Sequence, residues 1–142
     1  MLHNTLIASF AVLAAAGVGF QLGKITSAHA AANRVFEVRT YTAEPGKLDA
    51  LHARFREHTD SIFKKHGMTS VGYFAPTDDP LSKNTLIYIL AFPSRDAATK
   101  SWAEFRNDPE WQKVQKESEA HGKLVTKVDS VFTNPTDYSP MK

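Results

Sequence analysis

The chain of 142 residues contains no cysteine. That excludes a disulfide framework, a thiolate metal site and a cysteine nucleophile. Excess charge is also scarce: 17 Lys+Arg against 15 Asp+Glu give +2. Such a balance, with the basic residues scattered along the chain, argues against nucleic acid as a partner. There is no G-x-G-x-x-G, no P-loop and no G-x-S-x-G, so neither a phosphate cradle nor a nucleophile elbow is indicated. The first 30 residues lack almost all charge, with Lys24 the only exception, and no proline precedes Pro45. The length suits one ordinary domain.

What is present begins with an apolar leader. Residues 6–22, LIASFAVLAAAGVGFQL, are interrupted only by Ser9 and Gln21. A secretory signal needs an apolar core of about 7–15 residues and then small residues at the cleavage site. Ala28-His29-Ala30 supplies the A-x-A pattern, which places the cut after Ala30. The first five residues carry no Lys or Arg, unlike an ordinary signal. The alternative is an uncleaved anchor over residues 6–22, which reaches the short edge of the roughly 17–25 residues that span a bilayer. Either way the following domain is exported, to the periplasm or the medium, and membrane contact is confined to that segment. A mitochondrial transit peptide is disfavoured, since such peptides are Arg-rich and amphipathic. Residues 1–30 are thus read as leader and 31–142 as one domain. Without disulfides, an exported domain must rely on its core or on oligomerisation.

Val35–Tyr41 alternates with a period of two, placing Phe36, Val38 and Thr40 on one face and Glu37, Arg39 and Tyr41 on the other. After Pro45-Gly46, the residues Leu48, Leu51, Phe55, His58 and Ile62 recur at spacings of three and four and predict a helix to about His66. Lys64-Lys65-His66 suits the negative end of the helix dipole, and Gly67 can take the left-handed position after it. Thr69–Ala75 predicts a strand, in which Gly72 suggests a bulge or a close backbone approach. Leu86–Phe92 is nearly continuously apolar and reads as a central strand. Ser94 is placed to cap a second helix, which restarts at Asp108-Pro109-Glu110. Leu124–Thr133 predicts the last strand. The order β-α-β-β-α-β is the ferredoxin-like split βαβ arrangement, an α+β fold with the first and third strands central and both helices on one face. The other face still carries Tyr, Phe and Ile, and a second copy of the chain is its simplest cover. A homodimer with face-to-face sheets is therefore expected.

Phe36-Glu37-Val38-Arg39-Thr40-Tyr41-Thr42 with Pro45-Gly46-Lys47-Leu48 resembles the opening motif of NIPSNAP domains. Asn107-Asp108-Pro109-Glu110-Trp111 resembles their second-helix motif, and Pro135-Thr136-Asp137-Tyr138-Ser139-Pro140 their C-terminal segment. The likeness covers about residues 35–140. It implies a dimeric α/β-barrel, a superfamily that includes cofactor-free monooxygenases of polyketide quinols, haem-degrading monooxygenases and stress-response proteins. The NIPSNAP family has no agreed reaction, so the resemblance carries over no catalytic residue. Many members hold two such domains in tandem, whereas this chain holds one, which again suits a homodimer. The exported leader departs from the family's mitochondrial members, so their roles do not transfer.

Within the domain, His58 is the one candidate catalytic residue: an imidazole facing a sheet-lined cavity would serve as general base or haem ligand. The bland reading is a core or helix-edge histidine with one hydrogen bond. Glu37, Arg39 and Tyr41 suggest an Arg–Tyr pocket for an anionic or phenolic ligand, or else an ion-pair network. Tyr73, Trp102 and Trp111 would line an apolar cavity, or simply fill the core. The spacings of His52, His58 and His66 do not match a helical metal pair, and Asp78-Asp79 lacks the ligand count of a calcium loop. No metal and no cofactor are expected. Two functional classes follow. One is a binding module for a small apolar or aromatic ligand, or for a partner protein. The other is a small oxygenase or isomerase acting on an aromatic or haem-like substrate.

Overall fold

The computed structural model describes residues 34–141, so the leader over residues 1–30 lies outside the described residues. The alternating segment forms strand β1, Val35–Ala43. A turn at Pro45-Gly46 leads into α1, which has three consecutive parts: α-helical Leu48–Arg54, a π-helical turn Phe55–Thr59 and α-helical Asp60–Lys65. The helix closes as a Schellman motif. The Met68 amide donates to the Phe63 carbonyl at 3.0 Å and the Gly67 amide to the Lys64 carbonyl at 3.1 Å. Gly67 has φ +72°, where a side chain would be strained.

Strand β2 is Thr69–Phe74, and β3 is Thr85–Phe92. Helix α2, Arg95–Asn107, begins where the Ser94 hydroxyl accepts from the Ala97 amide. Helix α3, Pro109–Ser118, begins where the Asp108 carboxylate accepts from the Glu110 amide at 2.7 Å. Both are side-chain N-caps, and the second has proline in the first turn. Strand β4 is Val125–Thr133.

The sheet order is β2-β3-β1-β4, and every neighbouring pair is antiparallel. This is the ferredoxin-like α+β arrangement that the element order predicts. Register slips between Ser70 and Gly72, so the glycine marks a bulge. A Cβ at Gly72 would come within 2.8 Å of the exposed Phe74 ring, which would have to swing aside to admit a side chain.

Cross-strand pairing assigns the faces. Glu37, Arg39 and Tyr41 stand opposite Leu90, Tyr88 and Leu86 on β3, and opposite Phe132, Ser130 and Val128 on β4. This is the face that meets the helices, because the Trp102 indole of α2 donates to Glu37 across the layer. The core lies here, built from Leu51, Phe55, Phe63, Tyr88, Phe92 and Phe105 among others. The opposite face presents Val38, Ile87, Ile89, Phe74 and Val131, and the last two are 52% and 59% exposed. Among the described residues no helix is long and apolar enough to cross a membrane.

The π turn corrects one sequence expectation. A continuous α-helix would seat His58 in the inward stripe with Leu51 and Phe55. A π turn spends an extra residue on the circuit, so Thr59 takes that place, fully buried, and His58 points outward. The Thr59 hydroxyl donates to the Arg54 carbonyl at 3.2 Å, which satisfies a backbone oxygen within the widened turn.

Candidate functional site

Between the helices and the β1–β4 half of the sheet lies a cleft of two adjoining chambers. The larger, about 600 Å³, is lined by Arg39, Tyr41, Trp102, Trp111 and Phe132, with Arg95 and Arg106 also on its wall. The smaller, about 280 Å³, is lined by Arg54, Phe55, Thr59, Phe63, Lys123 and Val128 among others. Tyr41, Phe105, Trp111 and Gln115 border both. The walls are strongly aromatic. Phe105 and Trp111 are stacked with a tilt at 4.4 Å between ring centres, and Tyr41 meets Phe55 edge-on at 5.8 Å.

The floor of the larger chamber is a polar network that β1 sets at alternate positions. The Glu37 carboxylate, 1% exposed, accepts from Arg39 Nη1 at 2.6 Å, Trp102 Nε1 at 2.5 Å and Ser130 Oγ at 2.6 Å. Arg39 therefore lies between an anion and aromatic faces: its guanidinium sits 4.3 Å from the Trp102 ring centre, and its Nη2 reaches the Tyr41 hydroxyl at 3.4 Å. Burial works against the Arg39 charge. The neighbouring Tyr41, Tyr88 and Glu37 oxygens outweigh it and hold the guanidinium above its ordinary value. Burial, with Tyr41 beside it, pushes the Tyr88 phenol well up. The Tyr88 hydroxyl and Arg39 Nε are both buried without a hydrogen-bond partner.

Arg54 plays the corresponding part in the smaller chamber. Its side chain is only 5% exposed, and Nη1 donates to Glu119 at 3.1 Å and to Ser118 at 3.4 Å. Its guanidinium lies 5.2 Å from the centre of the Trp111 ring, and Nε has no partner.

The sequence candidates separate into two groups. Glu37, Arg39, Tyr41 and Trp102 come together in one network, joined by Trp111 on the cleft wall. Tyr73 does not join them. It borders a separate hollow of about 330 Å³ with His52, Arg56 and Asp60, and its hydroxyl donates to Asp60 at 2.8 Å. Burial raises the Tyr73 phenol, with Ser70 opposing and Asp60 adding to the effect. His58 lies outside both chambers, its side chain about half exposed next to Glu57. His66 is a structural partner, 2.6 Å from the Asp108 carboxylate that caps α3. Sequence reasoning missed Arg54, although it stands three residues after Leu51 on the inward stripe of α1. Among the described residues no group of three or more His, Asp or Glu is arranged to hold a metal.

Comparison with known proteins agrees with this architecture. A NIPSNAP-like domain protein from Burkholderia xenovorans is 19% identical with TM-score 0.67, over 77% of this chain and 90% of that one. A NIPSNAP family protein of unknown function from Agrobacterium tumefaciens is 25% identical with TM-score 0.68, over 78% and 96%. The cofactor-independent oxygenase SnoaB from Streptomyces nogalater shares the fold more distantly, at 16% identity and TM-score 0.52 over 77% and 99%. No curated protein matches the chain. The NIPSNAP family model matches residues 36–140, nearly the whole described domain, and on that match the chain belongs to the NIPSNAP family.

Proposed function

We propose that the chain is an exported, homodimeric module that binds a small aromatic ligand in the helix–sheet cleft. One observation carries the reading. Both tryptophans of the chain, with Tyr41, Phe105 and Phe132, wall an open cavity whose floor is a charged, hydrogen-bonded arginine. Ligand sites combine apolar walls with fixed polar groups, and the larger chamber sets five aromatic side chains against three arginines, Thr99 and Gln115. Rigid aromatic walls favour flat ligands through stacking.

Export rests on the apolar run over residues 6–22 and the Ala28-x-Ala30 pattern. Its destination is the periplasm or the medium, with an anchor over residues 6–22 as the alternative. Dimerisation rests on the apolar sheet face around Phe74 and Val131, since exposed apolar patches of this kind mark contact surfaces. Light scattering at micromolar concentration gives twice the chain mass on this reading, and a monomeric mass refutes it.

The cleft is tested by intrinsic fluorescence. Since both tryptophans line it, a planar naphthalene probe should quench the emission saturably, and Trp102→Phe and Trp111→Phe should each remove part of the response. Failure of every planar aromatic probe to quench saturably refutes the reading. The second reading, an oxygenase or isomerase acting in the same cleft, draws on the fold shared with SnoaB alone. Oxygen uptake no faster than background with quinol substrates refutes it.

A further inference from the structure

Arg54 is a buried cation whose pairing is incomplete. Its side chain is 5% exposed, and its hydrogen bonds to Glu119 and Ser118 both use Nη1. Nε is fully buried and unpartnered. A buried polar group without a partner is costly, by about 1–3 kcal/mol, so natural folds rarely leave one idle. The Arg54 side chain borders a cavity of about 280 Å³ whose other walls mix aromatic and aliphatic groups, Phe55, Phe63, Trp111 and Val128 among them, with polar ones such as Thr59 and Gln115. The π turn at Phe55–Thr59 follows directly on Arg54, and π turns often accompany functional sites.

From these contacts we infer that the smaller chamber is an anion subsite, in which the Arg54 guanidinium receives a carboxylate away from its Glu119-bound Nη1 while the attached ring lies against Trp111. Guanidinium is suited to this, because its planar donors can engage one carboxylate on one edge and a second on another. Glu119 occupies Nη1 and leaves the rest of the guanidinium for the ligand. Lys123 also borders this chamber and adds positive potential, while Lys127 on its wall is paired with Asp129 at 2.8 Å. The ligand class is therefore a planar aromatic acid. This rests on the cleft being a ligand site.

The test uses the full chain and two probes of matched shape, 1-naphthoate and its neutral amide 1-naphthamide, followed by tryptophan emission. The acid should bind at least tenfold more tightly than the amide. Arg54→Met should abolish that preference while leaving amide binding intact, which also shows that the variant is folded. Glu119→Gln removes the negative charge beside Arg54 and should tighten acid binding two- to tenfold. Equal binding of the two probes to the unaltered protein overturns the inference alone. So does a preference that survives Arg54→Met, since the selectivity would then come from Arg39, Arg95 or Arg106. If neither probe binds, the reading of the cleft falls and the subsite with it.

Discussion

Replacing Glu37 by Gln keeps its shape and removes its charge, and the structure sets the cost. The carboxylate receives three donors through two oxygens: Arg39 and Ser130 on Oε1, Trp102 on Oε2. An amide has one acceptor oxygen. In one orientation its NH2 faces the Trp102 indole N–H; in the other it faces Arg39. Losing a hydrogen bond to a charged group costs about 1.5–3 kcal/mol, and orphaning a buried donor about 1–3 kcal/mol. Breaking a buried ion pair costs about 3–5 kcal/mol. Arg39 keeps 16% exposure towards the cleft and is partly rescued by water there, so the lower end applies, about 3 kcal/mol. At about 4 °C per kcal/mol for a domain of this size, the melting temperature falls by about 12 °C. Urea unfolding followed by circular dichroism measures the loss directly. A cycle with Arg39→Met and the double variant should give a coupling of about 1.5 kcal/mol or more, as directly paired groups do. Additive losses, or a Glu37→Gln loss under about 1 kcal/mol, would show that the pair does not hold the cleft floor in place.

Two further expectations follow from other buried polar groups. Hydrogen bonds from Lys65 and His66 hold the Asp108 carboxyl well below the usual carboxylate range. Its folded value is depressed, so its contribution is fully present above the unfolded value near pH 4 and is lost as the pH falls through the folded one. In urea titrations from pH 5 down to pH 2 the unfolding midpoint should decline, and Asp108→Asn, which keeps the cap but not the charge, should flatten that decline; an unchanged slope would refute the assignment. The Tyr88 hydroxyl is buried without a geometrically sound hydrogen bond, so Tyr88→Phe should leave stability unchanged or raise it by up to about 1 kcal/mol, and a clear loss would reveal a hydrogen bond to the neighbouring Tyr41.

The strand and helix order was legible because the periodicities are clean and the punctuation is explicit. Ser94, Asp108-Pro109 and Gly67 each cap or end a helix by local chemistry that needs no tertiary information. Gly72 marked its bulge for the same reason. Period two in β1 could show that Glu37, Arg39 and Tyr41 share a face, but not which layer that face meets. The answer lies 65 residues away, in the Trp102 indole that reaches Glu37. The π turn left no local trace, because Phe55–Thr59 reads as ordinary helix. One extra residue in that turn exchanges His58 for Thr59 on the inner face and so removes the imidazole from the cleft. Arg54 carries no such signal, because a charged residue next to an inward phenylalanine normally marks the solvent flank. Its partner Glu119 lies beyond the end of another helix, and sequence spacing alone does not link the two.

Helix α3 is fastened to α1 at both ends. At its start, Asp108 takes Lys65 at 2.8 Å and His66 at 2.6 Å from the last turn of α1 and the residue after it. Just past its end, Glu119 takes Arg54 from the middle of α1. The two helices thus form a braced frame, like two beams joined at both ends, and Trp111 projects from α3. Contacts at both ends oppose hinging of α3 about either one, and Trp111 and Gln115 on the partition between the chambers are carried by that helix. On the proposed reading, selectivity in the cleft would be set by the ligand's length and thickness against the span between the two braced helices.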